Sequence, residues 1–464
     1  MSPPRGTRPT PLSGFPELLP RQRAVELSVL DSLRRTFELH GFASVETRAV
    51  EPLEQLMRKG DTSKEVYLLR RLQAEGEDTS SAAGLGLHFD LTVPFARYVL
   101  ENAGKLDFPF RRYQIQRCWR GERPQEGRYR EFTQADIDIV GSDELPLHAD
   151  VEVASVMAEA LSRLPVPPLR LQINNRVLID GFYQGLGVEP ARTPAVMQAV
   201  DKLDKLSPDA VARLLVDDVG ISAEHADRAL TMAQISGEDA TVADRVLALG
   251  VHHPLLDQGI AQLVAVLDAA STVRSDTFSL VADLSIARGL DYYTGTVFET
   301  RMQGYEHLGS ICSGGRYDRL ASDDRHTYPG VGISLGVSRL LVPLLADGVV
   351  DATRSVPSVV LVAVTTDESR SASTAVAQSL RARGIATEVA PSAARFGKQI
   401  RFAERRGIPY VWFPGDQTGD QTGHQVKDIR SGVQTDARPD DWTPPPDDLH
   451  PRVVAASAPL ETLS

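Results

Sequence analysis

The run Trp119-Arg-Gly-Glu-Arg-Pro-Gln-Glu-Gly-Arg-Tyr-Arg130 places Arg120, Arg123, Arg128 and Arg130 beside Glu122 and Gln125. A guanidinium forks onto carboxylate or phosphate through paired hydrogen bonds, so such a cluster suits an anionic substrate. Ion pairs on a surface hairpin would account for the same charges. In the segment that follows, a period of two puts Phe132, Gln134, Asp136 and Asp138 on one face and Thr133, Ala135, Ile137 and Ile139 on the other. The acidic face is either solvated or aimed into a cleft. Farther on, Ser285-Ile-Ala-Arg-Gly-Leu-Asp-Tyr-Tyr293 sets one cation, Arg288, before two phenols, Tyr292 and Tyr293. Read alone, those tyrosines are core aromatics whose hydroxyls reach water.

Other signals narrow the chemistry. The run 330–341, GVGISLGVSRLL, misses the dinucleotide fingerprint by one residue and lacks a clear acidic partner, so close strand–helix packing explains its glycines as well. Cys118 and Cys312 stand far apart with no CxxC or HxxxH companions, which indicates neither a disulfide framework nor a zinc cluster. The net charge of −12 argues against a chain that coats nucleic acid nonspecifically, so any such contact is local. Seven of the 50 basic residues are lysines; nearly every cation is a guanidinium. With no apolar leader and no long apolar run, the reading is a cytoplasmic protein without membrane contact.

The elements that must position these residues divide the 464-residue chain into several domains. A Pro-rich lead precedes a helical pattern through Val25, Leu27, Leu30, Leu33 and Phe37 that stops at Gly41. Residues 108–141 read as two strands around the charged loop, and 60–86 as a loop or hairpin. Short helical runs fill 166–277. Strand patterns return over 278–345, the last turning helical. A strand–helix alternation over 356–436 predicts a small α/β domain with a largely parallel sheet. The Pro- and Asp-rich segment 437–464 reads as a loosely ordered tail.

The R-x-E of Arg120 and Glu122, followed by a long loop, Arg128 and Phe132, resembles motif 2 of the class II aminoacyl-tRNA synthetases. The run ending in Arg339 resembles that family's third motif. Two further signatures, RGLDYYTGTVFE at 288–299 and SGGRYDRL at 313–320, resemble the histidyl-tRNA synthetase subgroup, as do HFDLTVPFARY at 88–98 and GKQIRFAERRGIPYV near the C-terminus. The resemblance spans roughly residues 13–433. It implies an α+β class II core, an antiparallel sheet flanked by helices, in two parts (1–165 and 278–345). A helical insertion (166–277) and a C-terminal α/β anticodon-binding domain (356–436) complete the implied architecture.

The implied activity is ATP-dependent ligation of L-histidine to its tRNA through a histidyl-adenylate, in a homodimer, with Mg2+ bridging the phosphates. By the same resemblance, Arg120 grips the α-phosphate and the substrate carboxylate, and Arg288 adds a second cation there. Glu122 reads the adenine amino group, Phe132 and Arg339 sandwich the ring, and Arg128 reaches the outer phosphates. Asp90, Thr92 and Gln134 hold the α-amino group; Asp138, Tyr292 and Tyr293 form the imidazole pocket. Gly314 and Gly315 let backbone approach the amino acid. Gln125 and Arg130 meet the tRNA acceptor end, and Lys398 and Arg401, with Arg405 and Arg406, offer a phosphate stripe.

The chain departs from the family pattern at four positions. Arg48 stands where motif 1 usually has proline, His88 where arginine is common, and aspartates, Asp90 and Asp138, replace the glutamates of many bacterial members. The alternative reading is a catalytically inactive, histidine-binding regulatory subunit of ATP phosphoribosyltransferase, a relative that shares the core but lacks the C-terminal domain.

Overall fold

The computed structural model describes residues 10–57, 65–70, 84–286, 293–322, 325–415 and 423–455. The chain forms two compact units, one of residues 1–16 and 32–343, the other of residues 17–31 and 344–464. Among the described residues no helix is long and apolar enough to cross a membrane.

The first unit is built on a sheet with nine described strands: β1 (Ala43–Ser44), β2 (Phe110–Trp119), β3 (Glu131–Val140), β4 (Leu169–Asn175), β5 (Ser236–Gly237), β6 (Phe278–Asp283), β7 (Thr296–Met302), β8 (Cys312–Ser322) and β9 (Thr327–Gly336). Their spatial order is β1-β2-β3-β9-β8-β7-β4-β6-β5. The central run from β2 to β4 is antiparallel, whereas β1 pairs with β2, and β4 with β6, in parallel. The expected antiparallel sheet is therefore mixed at its margins.

Helix α1 (Pro20–Leu39) opens the chain, and α2 (Thr92–Asn102), α3 (His148–Ser162), α4 (Arg176–Gly185) and α5 (Pro254–Ala270) follow. In α3, Val153, Val156, Met157, Ala160 and Leu161 are buried at helical spacing, so one stripe packs on the sheet and on α5. A Cβ on Gly181 of α4 would sit 2.1 Å from Leu256 N, and one on Gly259 of α5 would sit 2.2 Å from Leu178 N. Only hydrogen at both positions lets α4 and α5 approach so closely. Strand β4, α4 and α5 all lie inside the 166–277 stretch, yet β4 joins the sheet, α5 packs on α3 and on β4 and β6, and α4 packs on α5, so this part of the stretch adjoins the core. Sequence periodicity sees the helices but not the partners that claim them.

Arg48 acquires a structural account. Its Nη2 lies 3.1 Å from Glu51 and 3.6 Å from Glu101, and Arg97 clasps both carboxylates from α2 at 2.7 Å. Glu51 and Arg97 are buried, so the arginine at 48 completes a charge network that a proline could not enter.

In the second unit, helix α6 (Val337–Ala346) is followed by β10 (Val360–Val362), α7 (Arg370–Ala382), β11 (Thr387–Val389), α8 (Phe396–Arg406), β12 (Tyr410–Phe413), β13 (Gln425–Asp428) and β14 (Gln434–Asp436). Only the last turn of α6, from Leu344 on, falls in this unit; the rest of the helix, through Pro343, belongs to the first. Val360 and Val362 pack with Trp412 and the buried face of α7, while Leu361 packs with Val411 and Ala403 of α8 on the other side. Covering both faces makes β10 apolar at every position.

Two expectations need correction here. The sheet order is β11-β10-β12-β13-β14, parallel through the first three strands and antiparallel through the last two, so it is mixed rather than largely parallel. The tail is fastened as far as residue 455. Trp442 packs edge-on against Tyr410 and Trp412, and Asp448 accepts hydrogen bonds from the Tyr410 hydroxyl and from Arg430, each at 2.8 Å. Val453–Ala455 pairs antiparallel with Val350–Ala352. Composition predicted solvation because it does not register one aromatic anchor and one buried acid.

Candidate active site

The β2–β3 hairpin carries the charged loop, and its register sets Cys118 opposite Phe132, Gln114 opposite Asp136 and Arg112 opposite Asp138. Arg120 N donates to Arg130 O at 2.9 Å, closing the loop at its base. At its tip, Gln125 and Arg128 exchange backbone hydrogen bonds around Gly127, whose φ of 69° is strained for any other residue. The Arg120 guanidinium stands 5.0 Å above the Phe132 ring, and its Nε donates to Phe89 O at 3.0 Å. It is aimed before any substrate arrives.

Arg120, Glu122, Arg128, Phe132, Gln134 and Arg339 all border one cavity of about 280 Å3. Arg339 sits on the first turn of α6, where its Nη2 donates to Leu308 O. Arg128 Nη1 is 3.9 Å from Glu122, and both side chains are partly exposed. Arg130 is engaged within the loop. Its Nε donates to Glu122 O at 3.2 Å, its Nη1 to Ser13 O at 3.5 Å, and its stem covers Gly14, so it braces the loop against residues 13–14. Gln125 remains exposed at the tip.

A second cavity, of about 90 Å3, shares Arg120, Gln134, Ser313 and Ser334 with the first. Asp90, Thr92, Asp138 and Tyr293 border it as well. Asp90 Oδ1 accepts the Val93 N–H at 3.1 Å, which ties it to the start of α2. The Gln134 amide is held at both ends: Nε2 donates to Ser334 Oγ at 2.7 Å, and Oε1 accepts from Cys118 Sγ at 3.1 Å. Asp138 accepts the Tyr317 hydroxyl at 2.7 Å and lies 2.7 Å from Arg112 Nη2. Gly332 makes room for that carboxylate, since a Cβ there would stand 2.0 Å from Asp138 Oδ1. Arg288 and Tyr292 lie outside the described residues.

The two glycines of the SGGRYDRL segment border the small cavity and are also required by their neighbours. A Cβ on Gly314 would meet Gly332 O at 2.1 Å, and one on Gly315 would meet the Tyr293 ring at 2.7 Å. Residues missed at the sequence level are Arg112, Tyr317, Ser313 and Ser334, while the alternation places Asp136 on the right face without giving it a role. Tyr317 lay within a quoted motif, and Arg112 follows from Asp138 once the hairpin register is known.

Burial dominates the electrostatics. It pushes the Asp136 carboxyl up to about 7 against the opposing pull of Arg112, with Asp138 and Asp90 adding to the rise. Burial also raises the Cys118 and Cys312 thiols, so neither offers a thiolate near neutral pH. His88 is lowered by burial; its Nε2 contacts Arg117 O at 2.6 Å and its ring stacks on Trp119, so the family's usual cation is replaced by a neutral packing ring. Among the described residues no three His, Cys, Asp or Glu side chains are grouped to hold a metal ion.

In the second unit, Lys398, Arg401 and Arg405 of α8 border a cavity of about 550 Å3. Arg406 turns away to Glu388 at 2.6 Å and over the Phe402 ring.

Residues 14–340 match the sequence model of the family described as histidyl-tRNA synthetase, and residues 358–442 that of the anticodon binding domain. The chain is 57% identical over 450 residues to a histidine–tRNA ligase of Cutibacterium acnes, covering 96% of this chain and 98% of the relative. It is 56% identical over 459 residues to the Micrococcus luteus enzyme of the same description, covering 97% and 99%. The crystal structure of histidyl-tRNA synthetase from Nostoc sp. PCC 7120 superposes with a TM-score of 0.83 at 33% identity, covering 93% of this chain and 97% of that one.

Proposed function

Because the chain belongs to the histidyl-tRNA synthetase family, we propose that its two joined cavities are the nucleotide and amino-acid halves of one adenylation site. The protein ligates histidine to tRNA at the expense of ATP. The observation that carries the division of labour is the meeting of the two cavities at Arg120, with aromatic and cationic groups on one side and Asp90 and Asp138 on the other.

Histidine enters as an ammonium, a carboxylate and an imidazole. Asp90, Thr92 and Gln134 take the ammonium. Asp138 takes one imidazole nitrogen, its own orientation set by Arg112 and Tyr317, while Tyr293 flanks the ring. In the larger cavity Phe132 and Arg339 hold the adenine, Glu122 reads its amino group, and Arg128 reaches the outer phosphates. A substrate carboxylate oxygen then attacks the α-phosphorus; the new O–P bond forms as the bond to the β-phosphate oxygen breaks, and pyrophosphate leaves with that electron pair. Arg120, joined by Arg288 in this proposal, neutralises the growing charge at the point where the cavities meet. Mg2+ would disperse the charge of the phosphates; with Glu122 on the adenine, Glu65 is the other carboxylate at the cavity lining that could face it. In the second step a tRNA ribose hydroxyl attacks the adenylate carbonyl and AMP departs.

Gln125 is proposed to meet the acceptor end, and Lys398 and Arg401, with Arg405, the anticodon arm. We extend the proposal to a homodimer working in the cytoplasm. The test is histidine-dependent ATP–pyrophosphate exchange. Arg120→Ala should lower exchange by a factor of about 100 or more, whereas Lys398→Ala with Arg401→Ala should leave exchange intact and weaken aminoacylation. Absence of exchange from the pure wild-type protein would favour the regulatory, histidine-binding reading instead.

A further inference from the structure

Asp136 shares the small cavity with Asp138, two residues along the same face of β3, and the adenylation chemistry assigns it no task. It is 2% exposed, and its Oδ1 has no hydrogen-bond partner among the described residues. Arg112 is committed elsewhere: it lies 2.7 Å from Asp138 but 4.0 Å from Asp136. The groups facing Asp136 come from every neighbouring element. Arg112 and Cys118 lie on β2, Asp138 on its own strand, Ser334 on β9, Cys312 on β8, and Asp90 on the turn before α2. Ser334 links Asp136 to the substrate pocket, because it stands directly across from Asp136 on β9, where its hydroxyl favours the charged carboxylate, and it also receives the Gln134 amide at 2.7 Å.

We propose that Asp136 is a positioning residue of the amino-acid pocket, which holds a proton while the pocket is empty, releases it when a substrate ammonium enters, and orients Gln134 through Ser334. The idea rests on the adenylation reading above. Three carboxylates crowd a pocket in which the buried Arg112 is pledged to Asp138 and the second cation, Arg120, is turned to Phe89 O and the Phe132 ring, so keeping Asp136 neutral is the cheaper state. Its ordinary pH range is displaced accordingly, to about 7. An incoming ammonium supplies the missing counter-charge; the Asp136 O–H bond breaks, the proton passes to solvent, and the electron pair stays on the carboxylate. The anion then accepts fully from Ser334, which fixes the Ser334 hydroxyl and with it the Gln134 amide. Because Asp136 and Asp138 interact, the proton belongs to the pair in its titration, with Arg112 holding the charge on Asp138.

The experiment is histidine binding to the full-length protein, followed by infrared difference spectroscopy and by calorimetry in phosphate and Tris, whose ionisation heats differ. At pH 7 the wild type should lose a protonated-carboxyl stretching band on binding, and it should release about half a proton more than Asp136→Asn. The ratio of histidine Kd values, Asp136→Asn over wild type, should rise about tenfold between pH 6 and pH 8, a comparison that cancels the ligand's own ionisation. Ser334→Ala should raise the histidine KM yet keep the band loss. An unchanged carboxyl band in the wild type overturns the proposal even where Asp136→Asn fails to fold, and so does a pH-independent Kd ratio. Histidine-dependent exchange run on the same wild-type sample separates the two failures: lost exchange sinks the adenylation reading, while normal exchange without proton release sinks only the role of Asp136.

Discussion

Arg112 and Asp138 lie directly across the β2–β3 hairpin from each other, 2.7 Å apart, and neither is more than 5% exposed at its side chain. The guanidinium also lies over the Phe95 ring at 4.1 Å. One buried cation thereby sets the orientation of the acid proposed to read the imidazole. Removing one member of such a pair strands the other charge, at a typical cost of about 3–5 kcal/mol. Asp138→Ala should therefore lower folding stability by that amount in denaturant titrations as well as abolish histidine binding. Asp138→Asn, which keeps the shape, should lose binding with a smaller stability loss.

Gly332→Ala would place a methyl group 2.0 Å from the present position of Asp138 Oδ1, on a strand paired along its length with β3. The carboxylate must move away from Tyr317. The expected outcome is a histidine KM raised at least tenfold, the loss of roughly one or two hydrogen bonds, with the KM for ATP changed little in the exchange assay.

Asp136 makes the stability of the ligand-free protein depend on pH. Its folded pKa, about 7, is raised above the value of 3.8 for the free side chain, so the stabilisation from its protonated form is complete below about pH 4 and is lost as pH rises through 7. Asp136→Asn does not ionise. Its advantage over the wild type should accordingly be small at pH 4, grow toward pH 7 and level off above it, with a ceiling of ~4 kcal/mol. Thermal melts across that range check it; an advantage greatest in acid would refute the assignment.

Asp448 has the opposite sign. Hydrogen bonds from Arg430 hold its carboxyl below the usual range, with Tyr410 adding a third donor. Its contribution is present above pH 4 and lost as pH falls through the depressed value. Asp448→Ala should cost about 1–2 kcal/mol at neutral pH, discounted because Arg430 is half exposed. Melting of the second unit followed by Trp412 and Trp442 fluorescence would report it, while exchange activity should be retained.

Much of the site was legible in the residues alone. Alternation along 131–140 placed Phe132, Gln134 and Asp138 on one face, and the structure sets all three on the cavities. The spacing from Arg120 through Glu122 to Arg128 required a loop, and the Gly127 turn supplies it. Backbone geometry over a few residues determines where side chains point, so short-range patterns carry that information.

Partners and protonation were decided by tertiary structure. Arg112 and Tyr317 converge on Asp138 because β2, β3, β9 and β8 pair in that order, a result of pairing between segments far apart in the chain. The same pairing buries Asp136 and raises its carboxyl, while separate long-range contacts make Arg130 a brace against Ser13, give Arg48 its carboxylates and fasten the tail through Trp442 within the second unit. Spacing along a strand selects a face; which charges share that face, and how little water reaches them, depends on strand register and burial, which only the assembled sheet defines.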